Sequence, residues 1–271
     1  MRISRLIPYC LLGLLSLFFV LGFFWQPYDP DMVDLGNRYA SSSFSHWLGT
    51  DHLGRDLLSR IMVGGWRTGS VIVCVMLVGF SGGALFGTMA AVLNDWRGSA
   101  ILRLCEMSIV IPTLIIALTA AAIFGLTPLS ASLALGLAGV GPHALLAHTL
   151  TRRILGRPFV QAAHALGVGH IRLILRHILP NSLPVMLTYV GSQAGMAVVA
   201  YASLAFIGLG ADPSKPDWGS MLFEYRMFIF DYPMLMIWPG MAIAVTTGLL
   251  NWIFDPETEA ESSLKAEQSI R

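Results

Sequence analysis

Lysine is nearly absent from this sequence. Lys215 and Lys265 are the only two among 271 residues, and charged residues of all kinds make up 12%, about half of the roughly 25% in an ordinary soluble domain. With 55% hydrophobic residues and a mean hydropathy of +0.67, the chain reads as an all-α integral membrane protein. Neither lysine follows a glycine, which excludes a G-x-x-x-x-G-K-[ST] phosphate loop, and no H-E-x-x-H metal motif occurs. Gly79-Phe-Ser81-Gly-Gly83 spells a nucleophile elbow, but inside an apolar run rather than at a strand-to-helix turn. Cysteine is scarce too. Cys10, Cys74 and Cys105 lie in or beside apolar runs without a C-x-x-C pair, and read as small core residues. Buried ionisable groups, the mark of an ion-coupled carrier, are almost missing. The two main ones are Glu106, three residues after Arg103 and read as half of an interfacial ion pair, and His143, read as a hydrogen-bonded structural residue. The sequence therefore predicts no catalytic residue, no metal ligand and no cofactor of its own, and gives no sign of a nucleic-acid partner.

What is abundant is long apolar sequence. Runs of about 20 residues, enough to cross a hydrocarbon core of roughly 30 Å, predict six transmembrane helices at Leu6–Trp25, Thr68–Leu93, Leu104–Phe124, Leu129–Leu150, Leu183–Ile207 and Met234–Phe254. The stretch from Met107 to Thr151 holds no Asp, Glu, Lys or Arg, and Gly125-Leu-Thr-Pro128 is its turn signal. The first run resembles a signal peptide but lacks a small-residue cleavage site, so it is expected to stay as an anchor. With the N-terminus inside, the inner segments hold Arg2, Arg5, Arg97, Arg103, Arg152, Arg153, Arg157, Arg172, Arg176, Lys265 and Arg271. The outer ones hold only Arg38, Arg55, Arg60, Arg67, Lys215 and Arg226. This bias predicts a multi-pass protein with both termini cytoplasmic.

The chain divides into an N-terminal tail and first helix (1–26), an extracytoplasmic segment (27–67), a five-helix core (68–254) with a polar loop near 152–182, and a tail (255–271) expected to be disordered. Within His46–Trp66, Leu53, Leu57, Leu58 and Ile61 recur at near-helical spacing, which predicts an amphipathic helix on the outer surface. The segment Ala211–Tyr232 predicts a loop and then a short helix. Gly79, Gly83 and Gly87, and also Gly191 and Gly195, are spaced as helix-packing seams. Pro112 and Pro142 fall within spans and predict kinks.

Gln161–Asn181 breaks this pattern. QAAHALGVGHIRLILRHILPN predicts one short helix to Leu166, a reversal at Gly167 and Gly169, a second helix over His170–Leu179, and a stop at Pro180. Small Ala162, Ala163 and Ala165 would let the first helix press into a groove on a partner. On pattern alone, a surface loop whose arginines enforce topology fits equally well.

Gln161-Ala162-Ala163, then Gly167, then Ile178-Leu-Pro180 resembles the E-A-A, three residues, G, spaced I-x-L-P signature of the coupling loop in permease subunits of ATP-binding-cassette importers, with Gln161 replacing the usual glutamate. Trp47-Leu-Gly-Thr-Asp51 with Leu53-Gly-Arg-Asp56, Ser203-Leu-Ala-Phe-Ile-Gly-Leu-Gly210 and Asp217-Trp-Gly-Ser-Met-Leu222 are similar to the second, C-type permease of the peptide and nickel branch. The resemblance implies a type I importer fold and a heteromeric assembly in a bacterial cytoplasmic membrane. Its expected partners are a second homologous permease, two ATP-binding subunits that hold the ATP and Mg, and an extracytoplasmic solute-binding protein. It further implies that Gln161, Ala162, Ala163, Gly167 and Pro180 form the coupling element, with Arg172 and Arg176 as charge partners or contacts to membrane lipid. Tyr189, Ser192, Gln193, Tyr201 and Ser203 are possible pathway-lining groups. Nickel, a metal chelate and small peptides are the expected solutes, and a scaffold that transports nothing is the competing class.

Overall fold

Glycine spacing determines how the helices stack. The computed structural model describes residues 3–93, 95–125, 127–208 and 215–254. It is built from helices α1 (Ile3–Phe24), α2 (Leu57–Leu93), α3 (Trp96–Val110), α4 (Thr113–Phe124), α5 (Pro128–Leu155), α6 (Pro158–Ala165), α7 (His170–Leu173), α8 (Leu179–Phe206), α9 (Trp218–Tyr225) and α10 (Met234–Ile253). α2 and α5 form the most extensive contact. A Cβ on Gly83 would overlap the Cβ of His143, and one on Gly87 would overlap the carbonyl of Ala144. The backbones meet there because no side chain keeps them apart. Gly191 and Gly195 of α8 instead leave room for side chains, that of Phe254 just past α10 and that of Asn251 within it. Ser81 lies within α2 and donates to the Leu77 carbonyl at 2.6 Å, so the elbow spelling is a packing feature.

Four helical stretches are long and apolar enough to cross a membrane, Leu57–Leu93, Pro128–Leu155, Ile171–Phe206 and Met234–Ile253. α3 and α4 make a fifth crossing if counted together. α1 adds a shorter apolar stretch, Cys10–Phe24, so each of the six predicted spans coincides with helix. The third differs from expectation because it bends by 89° at Ile111-Pro112, leaving two short helices rather than one kinked rod. Pro142, in contrast, sits inside an uninterrupted α5. The turn into α5 falls at Gly125–Pro128, where Gly125 takes φ +80° and Thr127 caps the helix. Cys105 is buried, but Cys10 is exposed rather than a core residue.

The predicted amphipathic helix at His46–Trp66 is absent as such. Residues 46–56 form a loop with an isolated antiparallel bridge between Thr50 and Asp56, and the leucine-rich part from Leu57 is the start of the 37-residue α2. The local chemistry explains the correction. Asp51 Oδ1 accepts from the amides of Leu53 and Arg55, Asp56 Oδ2 accepts from the Ser59 amide at 2.8 Å, and Gly49 and Gly54 take positive φ. Such side-chain bonds hold the backbone out of a helix until Asp56 caps one.

Pro180 does not stop a helix either. It occupies the first turn of α8, where a missing N–H costs nothing. The chain arrives there from α7 through one widened π turn, Ile174–Ile178, closed by the Leu179 amide on the Ile174 carbonyl. Asn181 Nδ2 and Ser182 Oγ take the carbonyls of His177 and Ile178 at 2.6 and 3.0 Å. Helix therefore runs on to Phe206. The tail beyond Asp255 lies outside the described residues.

Candidate functional site

The segment between α5 and α8 is anchored from below and open above. Ile154, Val160, Leu173 and Ile178 are buried together, with Val92, Ala163 and Val168 packed against them, so α6 and α7 are fastened to the ends of α5 and α2. Pro158 opens α6. At its other end the Val168 amide bonds the Ala163 carbonyl at 3.2 Å across Gly167, whose φ of +80° is left-handed. This is the six-to-one bond of a Schellman closure, with Val168 and Ala163 both packed on the same buried cluster. Gln161 and Ala162 lie on the exposed side, and Gln161 Nε2 reaches the Gly156 carbonyl at 3.4 Å. Arg172 and Arg176 are exposed, as are Phe159, Leu166, Ile171 and Leu175, so the free surface is apolar with a basic edge.

A second feature lies in the middle of the bundle. A cavity of about 220 Å³ opens between α2, α4, α5 and α8, with Val75, Thr113, Gly139, His143, Gln193 and Met196 among its walls. Gln193 lines it and donates from Nε2 to the Tyr189 hydroxyl at 2.6 Å, while Ser192 bonds back to the Tyr189 carbonyl. Of the residues predicted to line a pathway, Gln193 faces the cavity and Tyr189 stands beside it. Tyr201 is instead fully buried among Val71, Ala117, Leu135 and Leu204, and Ser203 is exposed and bonded to the Val199 carbonyl. His143, read from sequence as purely structural, does make a structural bond from Nδ1 to Gly139 O at 2.7 Å. It also lines the cavity, and its buried Nε2 has no partner among the described residues. The only sequence signal for this was its place after Pro142 and opposite the α2 glycines.

The third feature is a knot of charge at the far end of the bundle. Buried Asp51 receives Arg55 Nε at 2.7 Å and the Tyr225 hydroxyl at 3.1 Å through Oδ2. Arg55 and Arg60 both pair with Glu224 of α9, and His46 Nδ1 meets Asp56 at 2.9 Å. Arg55 is pulled down by burial, but Asp51 and Glu224 outweigh that and hold it above its ordinary value. Asp51, His52 and Glu224 come within 4.8 Å of one another, a spacing open to a metal ion. The two guanidiniums already there supply the positive charge a cation would bring, so the group is an ion-pair network. Trp218 completes the knot by donating from Nε1 to the Ile61 carbonyl at 2.9 Å, with Gly64 and Gly65 beneath its ring. The motifs around Asp51 and Asp217 thus belong to one fastening between the loop, α2 and α9.

Comparison with known proteins places these features in context. The family described as binding-protein-dependent transport system inner membrane component matches residues 83–255. The chain is 31% identical to the nickel transport system permease protein NikC of Escherichia coli K12, covering 90% of this chain and 88% of the relative. It is also 31% identical to the glutathione transport system permease protein GsiD of Pectobacterium atrosepticum (90% and 82%) and 34% identical to the probable D,D-dipeptide transport system permease protein DdpC of Escherichia coli K12 (81% and 74%). Among solved structures, a chain of the MetNI methionine ABC transporter in an inward-facing conformation shares the fold, with a TM-score of 0.59 at 17% identity over 73% of this chain and 94% of that one.

Proposed function

Because the chain belongs to the family of binding-protein-dependent transport system inner membrane components, in its peptide and nickel branch of ATP-binding-cassette importer permeases, we propose that it forms half of a translocation pathway for nickel, a metal chelate or a small peptide. The work is supplied by separate ATP-binding subunits. Those subunits hold ATP and Mg, a second homologous permease completes the pathway, and an extracytoplasmic solute-binding protein delivers the solute. Both termini then face the cytoplasm, as does the segment that carries Gln161.

One observation carries this reading: the pinned, outward-facing turn from Phe159 to Leu175. Its buried side is locked to α5 and α2, while Gln161, Ala162, Leu166 and Ile171 are left without cover. In this role Ala162, beside Gln161, is the docking surface, Gly167 is the reversal, and Ala163, expected to dock as well, instead packs inward against the buried cluster. Arg172 and Arg176 meet acidic groups or lipid headgroups, and Pro180 starts the helix that receives the motion. A force applied at such a surface is transmitted rather than absorbed.

The test is a tagged purification from native membranes in mild detergent. Wild-type chain is expected to bring down a second permease and stoichiometric ATPases, and Ala162→Glu to keep the permease while losing the ATPases. Wild-type ATPase recovery with Ala162→Glu would sink the docking assignment.

A further inference from the structure

Where α2, α8 and α9 meet, four polar atoms are buried without a hydrogen-bond partner among the described residues: Arg67 Nη1, Thr68 Oγ1, Tyr201 Oη and Asp217 Oδ2. Thr68, Tyr201 and Asp217 are exposed by only 1%, 0% and 0%. Their places along α2 follow from its contacts. A Cβ on Gly64 would stand 3.3 Å from the Asp217 Cα. Arg67 and Thr68 come one turn later on the same face, and Val71, a further turn on, packs with Tyr201. Asp217 is within electrostatic reach of both Arg67 and Tyr201, so the four groups form one cluster.

A buried polar atom without a partner costs at least what a hydrogen bond contributes. This set is complementary. Arg67 can only donate, the Thr68 and Tyr201 hydroxyls can donate, and the Asp217 carboxylate can only accept. Asp217 Oδ1 is committed as the cap of α9, accepting from the Ser220 amide at 3.0 Å. The partners that these atoms lack are therefore present in the cluster, short of hydrogen-bond contact.

The three helices are not held equally. α9 is tied to α2, because Trp218 Nε1 donates to the Ile61 carbonyl at 2.9 Å and Glu224 receives Arg60. Among the described residues no hydrogen bond or ion pair joins α8 to either of them. Its contact with α9 is a seam of small residues, where a Cβ on Gly219 would stand 2.5 Å from the Ala202 carbonyl and 2.6 Å from the Ala205 Cβ. Packed helices shear along such a surface because no long side chains interlock across it. α8 also starts beside the segment that carries Gln161, where the permease reading applies force.

We propose that Tyr201 and Asp217 are the latch of a second conformation: α8 slides along the Gly219 seam until the Tyr201 hydroxyl donates to Asp217 Oδ2, and Arg67 closes on the same carboxylate. The conformation described here is the unlatched one. Two discrete states need a contact that is present in only one of them, and these orphaned groups supply it. The proposal rests on the permease reading for the force and adds the residues that hold one state.

The experiment uses the complete importer, both permeases with ATPases and binding protein, in nanodiscs. Nitroxide labels are placed at Ser70→Cys of α2 and Ser203→Cys of α8, both exposed, with Cys10, Cys74 and Cys105 replaced by alanine. Pulsed electron paramagnetic resonance reads the α2–α8 distance with and without ATP and vanadate. The otherwise wild-type chain is expected to show two distances, one of them that of the structure described here. Tyr201→Phe keeps the ring and removes a hydroxyl that bonds nothing in the unlatched state. The population ratio is expected to move about tenfold toward that state, the loss of one hydrogen bond to a charged group. Asp217→Asn, which keeps the cap and removes the accepting charge, is expected to move it the same way and serves if Tyr201→Phe does not assemble. Thr151→Val deletes another unpartnered hydroxyl, in α5, and is expected to leave the ratio alone. A ratio unchanged by Tyr201→Phe, a shift in the opposite direction, an equal shift in Thr151→Val, or a single distance in every condition would overturn the latch. Failure of the permease reading looks different: no ATPase assembles with the chain and ATP changes nothing, while the ratio in the labelled chain alone still reports on Tyr201.

Discussion

Arg60 of α2 and Glu224 of α9 are joined by a 2.9 Å hydrogen bond across 164 residues of sequence, with the Arg60 side chain 1% exposed. The same carboxylate also receives Arg55. Glu224→Ala leaves Arg55 with Asp51, and Arg60 with the Pro30 carbonyl and the more distant Asp31 and Asp51, so stability is expected to drop by about 1.5–3 kcal/mol, the scale for a lost hydrogen bond to a charged group. Thermal unfolding in detergent measures it. Glu224→Gln, which keeps an acceptor, is expected to lose less.

His52 gives this knot a pH dependence. Burial pushes its imidazole below the ordinary 6.5, with Arg55 and Arg60 acting the same way and Asp51 and Glu224 opposing. The folded state binds fewer protons than the unfolded one, so stability is full above 6.5 and falls as pH drops through the lowered folded value. His52→Gln is expected to flatten the slope of unfolding temperature between about pH 7 and about pH 5. An unchanged slope would remove His52 from the account.

Asp217 is a cap held in an unfavourable place. Its carboxylate accepts from the Ser220 amide at 3.0 Å, yet burial pushes its pKa up against the pull of Ser220, Arg67 and the Gly219 amide. A raised folded value means that stability present below the ordinary 3.8 is lost as pH rises through it. Asp217→Asn keeps the cap without the charge and is expected to match or exceed wild type at neutral pH. Asp217→Ala is expected to lose about 1 kcal/mol, the worth of a cap. Unfolding curves of the three proteins side by side decide it.

The α2 seam separates structural glycines from idle ones. Gly87→Ala drives a methyl into the Ala144 carbonyl, and a loss of about 1–3 kcal/mol is expected from overpacking. Gly240 and Gly248 of α10 have open space where a Cβ would stand. Alanine at either is expected to be neutral or to gain up to about 1 kcal/mol in helix propensity. Equal losses at both kinds of site would contradict the seam.

Gly167 and Pro180, neighbours in the same signature, should respond differently. Gly167→Pro demands a φ near −65° where the backbone takes +80°, and is expected to abolish uptake in a protein that still inserts. Pro180→Ala restores an N–H in the first turn of α8, where none is required, and is expected to change stability by less than about 1 kcal/mol. Uptake assays on equal amounts of membrane-inserted protein test both.

Much of this was legible without coordinates because lipid leaves few choices. Apolar length located the helices, and glycine spacing located the seams at Gly83, Gly87, Gly191 and Gly195, since both follow from local rules. The reversal at Gly167 was readable for the same reason. Failures came where side chains compete for the backbone or where distant elements decide. Asp51 and Asp56 take amides that a leucine pattern assigns to a helix, and a π turn lets Pro180 open a helix rather than close one. His143 could be seen as a hydrogen-bonded residue but not as a cavity wall, because the cavity exists only where four helices from separate parts of the chain meet.

α2 contains no proline and runs unbroken for 37 residues, about 55 Å, well beyond the roughly 30 Å of a hydrocarbon core. Arg60 near its start sits in the charge knot, and Val92 near its end packs against the segment that carries Gln161. Sharp kinks in helices fall at prolines, glycine–serine pairs, bulges or inserted groups. With no proline, the softest points of α2 are Gly69-Ser70 and Ser81-Gly82, so any bend between Arg60 and Val92 falls at one of those two pairs.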